Sequence, residues 1–166
     1  ALPGALLTLF LVNVAYFTGA LPPIPLTVPE SGIYHSLQRV EGRYVVMSEG
    51  SRPWYDILTP RKIHATPGTT LYAYSAVAAP VKFGAQVVHR WEHYSETDGK
   101  WITKSRIPFA ISGGRAGGYR GYSEFSPGVP GKWRVSVETS GGQVIGRVPF
   151  VLVVAIVQPV LHEETH

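Results

Sequence analysis

Hydrophobic and polar positions divide the chain into two textures. From Ala1 to Pro29 no side chain ionises, and within that span "GALLTLFLVNVAYFTGAL" (Gly4 to Leu21) is apolar on every face of a helix. Pro3 suits its first turn, and Pro22 with Pro23 ends it. At ~1.5 Å per residue this run reaches roughly 27 Å, close to the hydrocarbon thickness of a bilayer. Residues 1–21 are therefore expected to form a transmembrane helix. A secretory signal would carry a basic leading region, and a buried core helix would show a polar face; neither is present. Asn13 is costly against lipid, and Ala15 with Gly19 forms a small-xxx-small pair, so these three residues are expected to pack against a partner helix. Residues 22–41, opening on "PPIPLTVP", read as a stiff Pro-rich strap and linker.

After Glu30 the pattern changes to short β-prone runs broken by turn residues. "GRYVVMSE", "TTLYAYSAVA", "AQVVHRWEHYS", "KWITKS", "RIPFAIS", "GYRGYSEF", "KWRVSVETS" and "QVIGRVPFVLVVA" alternate as half-buried strands do. Asp98-Gly99 and Ser140-Gly141-Gly142 lie between neighbouring runs and predict hairpin turns. About eight strands at short spacing, with no long amphipathic helix, predict an all-β, immunoglobulin-like antiparallel sandwich over residues 42–157, followed by a frayed polar tail at 158–166. In "KWRVSVE" the alternation puts Trp133, Val135 and Val137 on the core face.

Composition narrows the function. The 166 residues are 45% hydrophobic and 16% charged, with a net charge of +4 and a pI near 9.4. The Lys and Arg residues are scattered among Asp and Glu, which argues against a nucleic-acid partner. No cysteine is present, so no disulfide, thiolate metal site or thiol nucleophile can form. His89 and His93 would converge on a metal from a helix, but four residues of strand separate them by about 13 Å, so no metal and no cofactor is expected. His89 should instead be a partly buried, hydrogen-bonded core residue beside a packed Trp91. Glu92, Glu96 and Asp98 gather at one hairpin tip, where solvated carboxylates with ordinary pKa values are expected.

The stretch "ISGGRAGGYRGYSEF" (Ile111 to Phe125) holds five glycines, two arginines and two tyrosines. It lacks the Lys-Ser or Lys-Thr and the helix of a phosphate loop, and "GYSEF" lacks the second glycine of a nucleophile elbow. No catalytic residue is assigned, and the protein is not expected to be an enzyme. Its glycines suit a wide turn that lets the next strand approach closely. Arg115, Tyr119, Arg120 and Tyr122 are the candidate partner-binding residues, since arginine and tyrosine are enriched at such contacts.

"LPPIPLTVPESGIYHSLQR", "LYAYSAVAAPVKFGAQVVHRWEHY", "ISGGRAGGYRGYSEF" and "PGKWRVSVETSGGQVIGRVPF" together resemble the bacterial family known as domain of unknown function 2914. The resemblance runs from the end of the apolar helix to Val157. It implies a transmembrane portion, often of several helices where this sequence shows one, followed by a compact β domain, and it supplies no reaction. The resulting expectation is a non-catalytic, membrane-anchored accessory subunit that contacts lipid bilayer and other membrane protein subunits, with a respiratory or photosynthetic assembly as a host. The alternative is a module for envelope glycan, polysaccharide or peptidoglycan, stacking sugars on Trp54, Tyr55 and the tyrosines. The near flank of the helix holds no Lys or Arg before Arg39 and Arg43, which puts the β domain on the periplasmic side of the bacterial inner membrane.

Overall fold

A computed structural model describes residues 2–17, 26–50, 59–78, 85–111 and 119–166. Helix α1 (Leu2–Phe17) is followed by eleven strands: β1 (Thr27–Tyr34), β2 (Ser36–Val40), β3 (Arg43–Ser48), β4 (Arg61–Ala65), β5 (Leu71–Ala78), β6 (Ala85–Ser95), β7 (Lys100–Ile111), β8 (Tyr119–Phe125), β9 (Gly131–Thr139), β10 (Val144–Val154) and β11 (His162–Thr165). One sheet has the order β1-β5-β8, a second β4-β10-β9-β6-β7, and a third, smaller one β11-β3-β2. Among the described residues every pairing is antiparallel except β4 with β10. Between the first two sheets the chain crosses from β4 to β5, β5 to β6, β7 to β8 and β8 to β9, the back-and-forth pattern of an immunoglobulin-like sandwich.

The core lies between the first two sheets. Trp91 of β6 and Trp133 of β9 are fully buried with Ile63, Leu71, Phe150 and Leu152 towards one end. Val77, Val87, Tyr119 and Val137 close the other end, where Leu26 and Val28 of the incoming chain pack. Trp133 donates its indole N–H to the Val129 carbonyl at 3.0 Å, so the bend before β9 is pinned to the core. The expected core face of β9 is the observed one. The two expected hairpins are also present, with Gly99 and Gly142 at φ of 63° and 86°.

Four expectations change. "KWITKS" and "RIPFAIS" form one strand, β7, which stays paired with β6 across a bulge beside Trp91 and Glu92. The strap and linker at 22–41 contains β1 and β2, because Ile33 and Leu37 have core to bury. The tail is not frayed: β11 pairs with β3, and the His166 ring stacks on Tyr74 at 5.3 Å and accepts or donates a 3.1 Å hydrogen bond with the Tyr34 hydroxyl. The apolar helix is seen over 16 residues, ~24 Å at ~1.5 Å each. Among the described residues no helix is long and apolar enough to cross a membrane. Residues 18–21 of the expected span lie outside the described residues.

Candidate functional site

Strand alternation sorts the residues expected to bind a partner. On β8, Tyr119 points into the core, whereas Arg120 and Tyr122 face outward, Tyr122 with 44% of its surface exposed. Tyr119 is thus corrected from contact residue to core residue, since odd positions of β8 face the second sheet. Tyr122 meets Tyr44 edge-on at 6.2 Å and Tyr72 in a tilted contact at 6.4 Å, at the border of a cluster that also holds Tyr34 and Tyr74. Arg115, Gly19, Trp54 and Tyr55 lie outside the described residues, as does the side chain of Ala15. Asn13 donates one amide hydrogen to the Leu9 carbonyl one turn back at 2.9 Å.

Buried polar groups explain more of the sequence than any catalytic pattern does. His89 is sealed between the sheets, with Nε2 at 2.7 Å from the Ser75 hydroxyl and Nδ1 at 2.9 Å from the Ser123 hydroxyl; Trp91 donates to the same Ser123 oxygen at 3.0 Å. Burial pushes the His89 pKa down to about 3, so the ring is neutral at physiological pH. His93 sits at the end of the same face, its ring 4.9 Å from that of Trp133. On the outer face of the five-stranded sheet, Glu92 is only 2% exposed. It accepts from Arg134 Nε at 2.7 Å, from Arg134 Nη2 at 3.1 Å and from Ser136 Oγ at 2.9 Å. Burial alone would raise its pKa, but these hydrogen bonds and the charges of Arg134 and Arg90 hold it below the usual carboxylate range. The expectation of a solvated Glu92 is therefore wrong, because the arginines on β6 and β9 fold over it. Glu138 is buried the same way under Arg90 and Arg106, at 2.6 and 3.0 Å.

Aromatic rings near this face are covered by cations. Arg134 lies 4.2 Å above the Trp101 ring and Lys132 lies 5.2 Å above Tyr94. An open cleft of about 390 Å³ beside them, at the β6–β7 hairpin, is lined by His93, Tyr94, Glu96, Lys104 and Lys132 among others.

A second concavity was not anticipated. Glu49, just past β3, accepts from His35 Nε2 at 2.8 Å, from His64 Nδ1 at 2.6 Å and from the His64 backbone N–H at 2.6 Å. Burial would raise the Glu49 pKa, but the His64 and His35 hydrogen bonds outweigh it and keep the carboxyl ionised below its ordinary value. Because the carboxylate accepts, His35 carries its proton on Nε2 and His64 on Nδ1. Both rings line a cavity of about 230 Å³ closed by Thr66, Thr69 and residues 155–161. No sequence signal joins these groups: 14 residues separate His35 from Glu49 and 15 separate Glu49 from His64. The tie appears only once β4 lies beside the end of β3. Among the described residues no group of three or more His, Cys, Asp or Glu side chains is arranged to hold a metal ion.

Fold and site define a class: a two-layer β-sandwich carrying a small extra sheet, an outer ionic face and a polar-based cavity at one end. Residues 84–152, from the start of β6 to near the end of β10, match the family described as "Protein of unknown function (DUF2914)". The wider resemblance read from "LPPIPLTVPESGIYHSLQR" lies outside the matched residues. No curated protein matches the chain in sequence. Among solved structures, an immunoglobulin-like protein from Pseudomonas aeruginosa is similar over 77% of this chain and 96% of its own, at 12% identity and a TM-score of 0.38. The alkylpurine DNA glycosylase AlkC of Pseudomonas fluorescens, bound to DNA containing an abasic site analog, is similar over 74% of this chain and 30% of its own, at 18% identity and 0.40. A β-glucosidase from Listeria innocua is similar over 82% and 17%, at 12% identity and 0.40. The chain thus spans less than a third of the glycosylase and about a sixth of the glucosidase. Likenesses this distant carry no functional weight.

Proposed function

We propose that the protein is a non-catalytic, membrane-tethered interaction domain, an accessory subunit that braces a larger membrane protein complex. The observation that carries this reading is the surface of α1. Leu6, Leu7, Leu9, Phe10 and Leu11 are each between 57% and 65% exposed. At ~100° per residue these five cover ~200° of the helix circumference. An apolar surface that wide is stable only against lipid or other apolar helices. Thr8 and Asn13 bond back to the Gly4 and Leu9 carbonyls, which lowers the cost of placing these donors in hydrocarbon. The apolar sequence continues to Leu21, so residues 1–21 form the tether. The charge-poor flank before Arg39 favours a β domain on the periplasmic side of a bacterial inner membrane.

On the β domain, Arg120 and Tyr122 at the β8 edge supply the partner contact, an outward pair at the border of the tyrosine cluster. Arg90, Arg106 and Arg134, by contrast, are committed to Glu92 and Glu138. Purification from the native membrane in mild detergent tests this reading. The full chain is expected to copurify with a defined membrane protein, and Arg120→Glu with Tyr122→Ala is expected to weaken that association without lowering the melting temperature. Recovery as a lone protein in the soluble fraction would contradict it.

A further inference from the structure

We infer that the cavity between His64 and residues 155–161 is a binding site for a neutral aromatic ring bearing a hydrogen-bond donor, a phenol or an indole, either free or as the side chain of a partner's Tyr or Trp. The acceptor is already set. Glu49 Oε2 holds the proton of His64 on Nδ1, at 2.6 Å, which leaves Nε2 on the edge opposite the carboxylate to accept from a donor. The His64 side chain keeps 43% of its surface exposed, whereas that of Glu49 keeps 13%, so the imidazole and not the carboxylate is the accessible group.

Apart from His35, which is also bound to Glu49, the remaining walls hold no Asp, Glu, Lys or Arg. Pro159 and Leu161 form an apolar side with Ile156 at the mouth, while Thr66 and Gln158 supply uncharged polar groups. Such a lining complements a neutral ring and penalises an ion. Its size agrees: a dry cavity of about 150 Å³ takes benzene, and this one has about 230 Å³, room for a ring with a polar substituent. The rim is also apolar beyond need. Ile156 is fully exposed and Val157 and Val160 are 80% and 76% exposed, in a segment from Val148 to Leu161 that contains no ionisable side chain.

Position adds a consequence. The chain enters the sandwich where Leu26 and Val28 pack near Ile145, at the start of β10, whereas the cavity lies past Val154 at its far end. Eleven residues of strand put roughly 33 Å between the two ends. That the cavity faces the aqueous phase away from the bilayer rests on the membrane-tether reading; the ring site itself does not.

The test uses the full chain in phosphatidylcholine nanodiscs, observed through the imidazole NMR signals of His64. Long-range ¹H–¹⁵N spectra should first show His64 protonated on Nδ1. Phenol, N-acetyl-tyrosinamide and N-acetyl-phenylalaninamide are then titrated separately. N-acetyl-tyrosinamide should move the His64 signals and bind about 3- to 10-fold more tightly than the phenylalanine amide, the effect of one net hydrogen bond. That preference should vanish in His64→Phe, and Ile156→Asp, at a fully exposed position, should weaken both amides. Response to phenol without response to the tyrosine amide assigns the site to a free ring, and response to both assigns it to a partner side chain. No change in the His64 signals with any probe, or an Nε2-protonated His64, overturns the inference whether or not the chain proves to be membrane-bound.

Discussion

Gly121 lies directly beneath the ring of Phe109: a Cβ added at this position of β8 would overlap the Phe109 ring atoms. The described part of the glycine-rich stretch therefore works as a close approach between strands that face each other across the core. Phe109 in turn packs on His89 at 4.6 Å. Gly121→Ala should lower stability by about 1–3 kcal/mol, the usual cost of overpacking. Gly128→Ala, where nothing lies within 4 Å, should stay within about 0.5 kcal/mol. Urea unfolding of both variants checks the pair, and equal midpoints would show that β8 does not approach β7 as described.

His89 should make stability fall with acid well before carboxylates titrate. Its folded pKa is depressed to about 3, against ~6.5 for an unfolded histidine. The unfolded chain therefore binds the proton first, and stability is fully present above ~6.5 and lost as pH drops. Between pH 7 and 5 the loss should be about 2 kcal/mol, at ~1.4 kcal/mol per unit below the unfolded value. His89→Gln keeps hydrogen-bonding capacity towards Ser75 and Ser123 without a titrating ring. Its thermal melts should show a flatter pH slope than wild type over this range; parallel slopes would mean that His89 is not sealed.

Glu92 carries a different acid dependence. Its folded pKa is lowered, so its contribution is present above the unfolded value near ~4.3 and disappears as pH falls through the carboxylate range. Glu92→Gln leaves Arg134 without its counter-charge and removes the second carboxylate beside Arg90, which should cost about 3 kcal/mol at pH 7. The variant should lose less stability than wild type between pH 5 and 3. A neutral effect at pH 7 would show that solvent, and not Glu92, satisfies the arginines.

Trp133 fills the core between β9 and β10, stacked on Phe150 at 6.4 Å. Trp133→Ala should cost about 3–5 kcal/mol. Circular dichroism melts that leave the transition temperature unchanged would contradict the core assignment.

The parts of the fold legible in the sequence are those where one face is buried and the other is wet. β6, β9 and β10 alternate cleanly because Trp91, Trp133 and Phe150 face inward while Arg90, Arg134 and Arg147 face out. β1 was hidden because Pro29 and Gly32 interrupt its alternation, and Gly32 is needed where Tyr34 folds back over it. β11 was hidden because "HEET" has no apolar side chain; its order comes from β3 and from His166 packed among tyrosines. The face of each β8 residue was legible, but that Tyr119 thereby joins the core and leaves the partner edge required knowing which face meets β6. The His35, Glu49 and His64 group has no local spacing to detect, since it is made by contacts between β1–β2, the end of β3 and β4.

The tether is the central claim, and flotation with lipid vesicles tests it most directly. The full chain, refolded from detergent into phosphatidylethanolamine–phosphatidylglycerol vesicles, should float with the lipid and resist extraction by high salt and by alkaline carbonate. Leu7→Lys with Phe10→Lys puts two charges on the exposed apolar surface of α1, and at roughly 2.5–3.5 kcal/mol each near a bilayer centre they should shift the protein to the soluble fraction. If wild type stays at the bottom of the gradient, or if the double-lysine variant floats equally well, α1 does not hold this protein to a membrane.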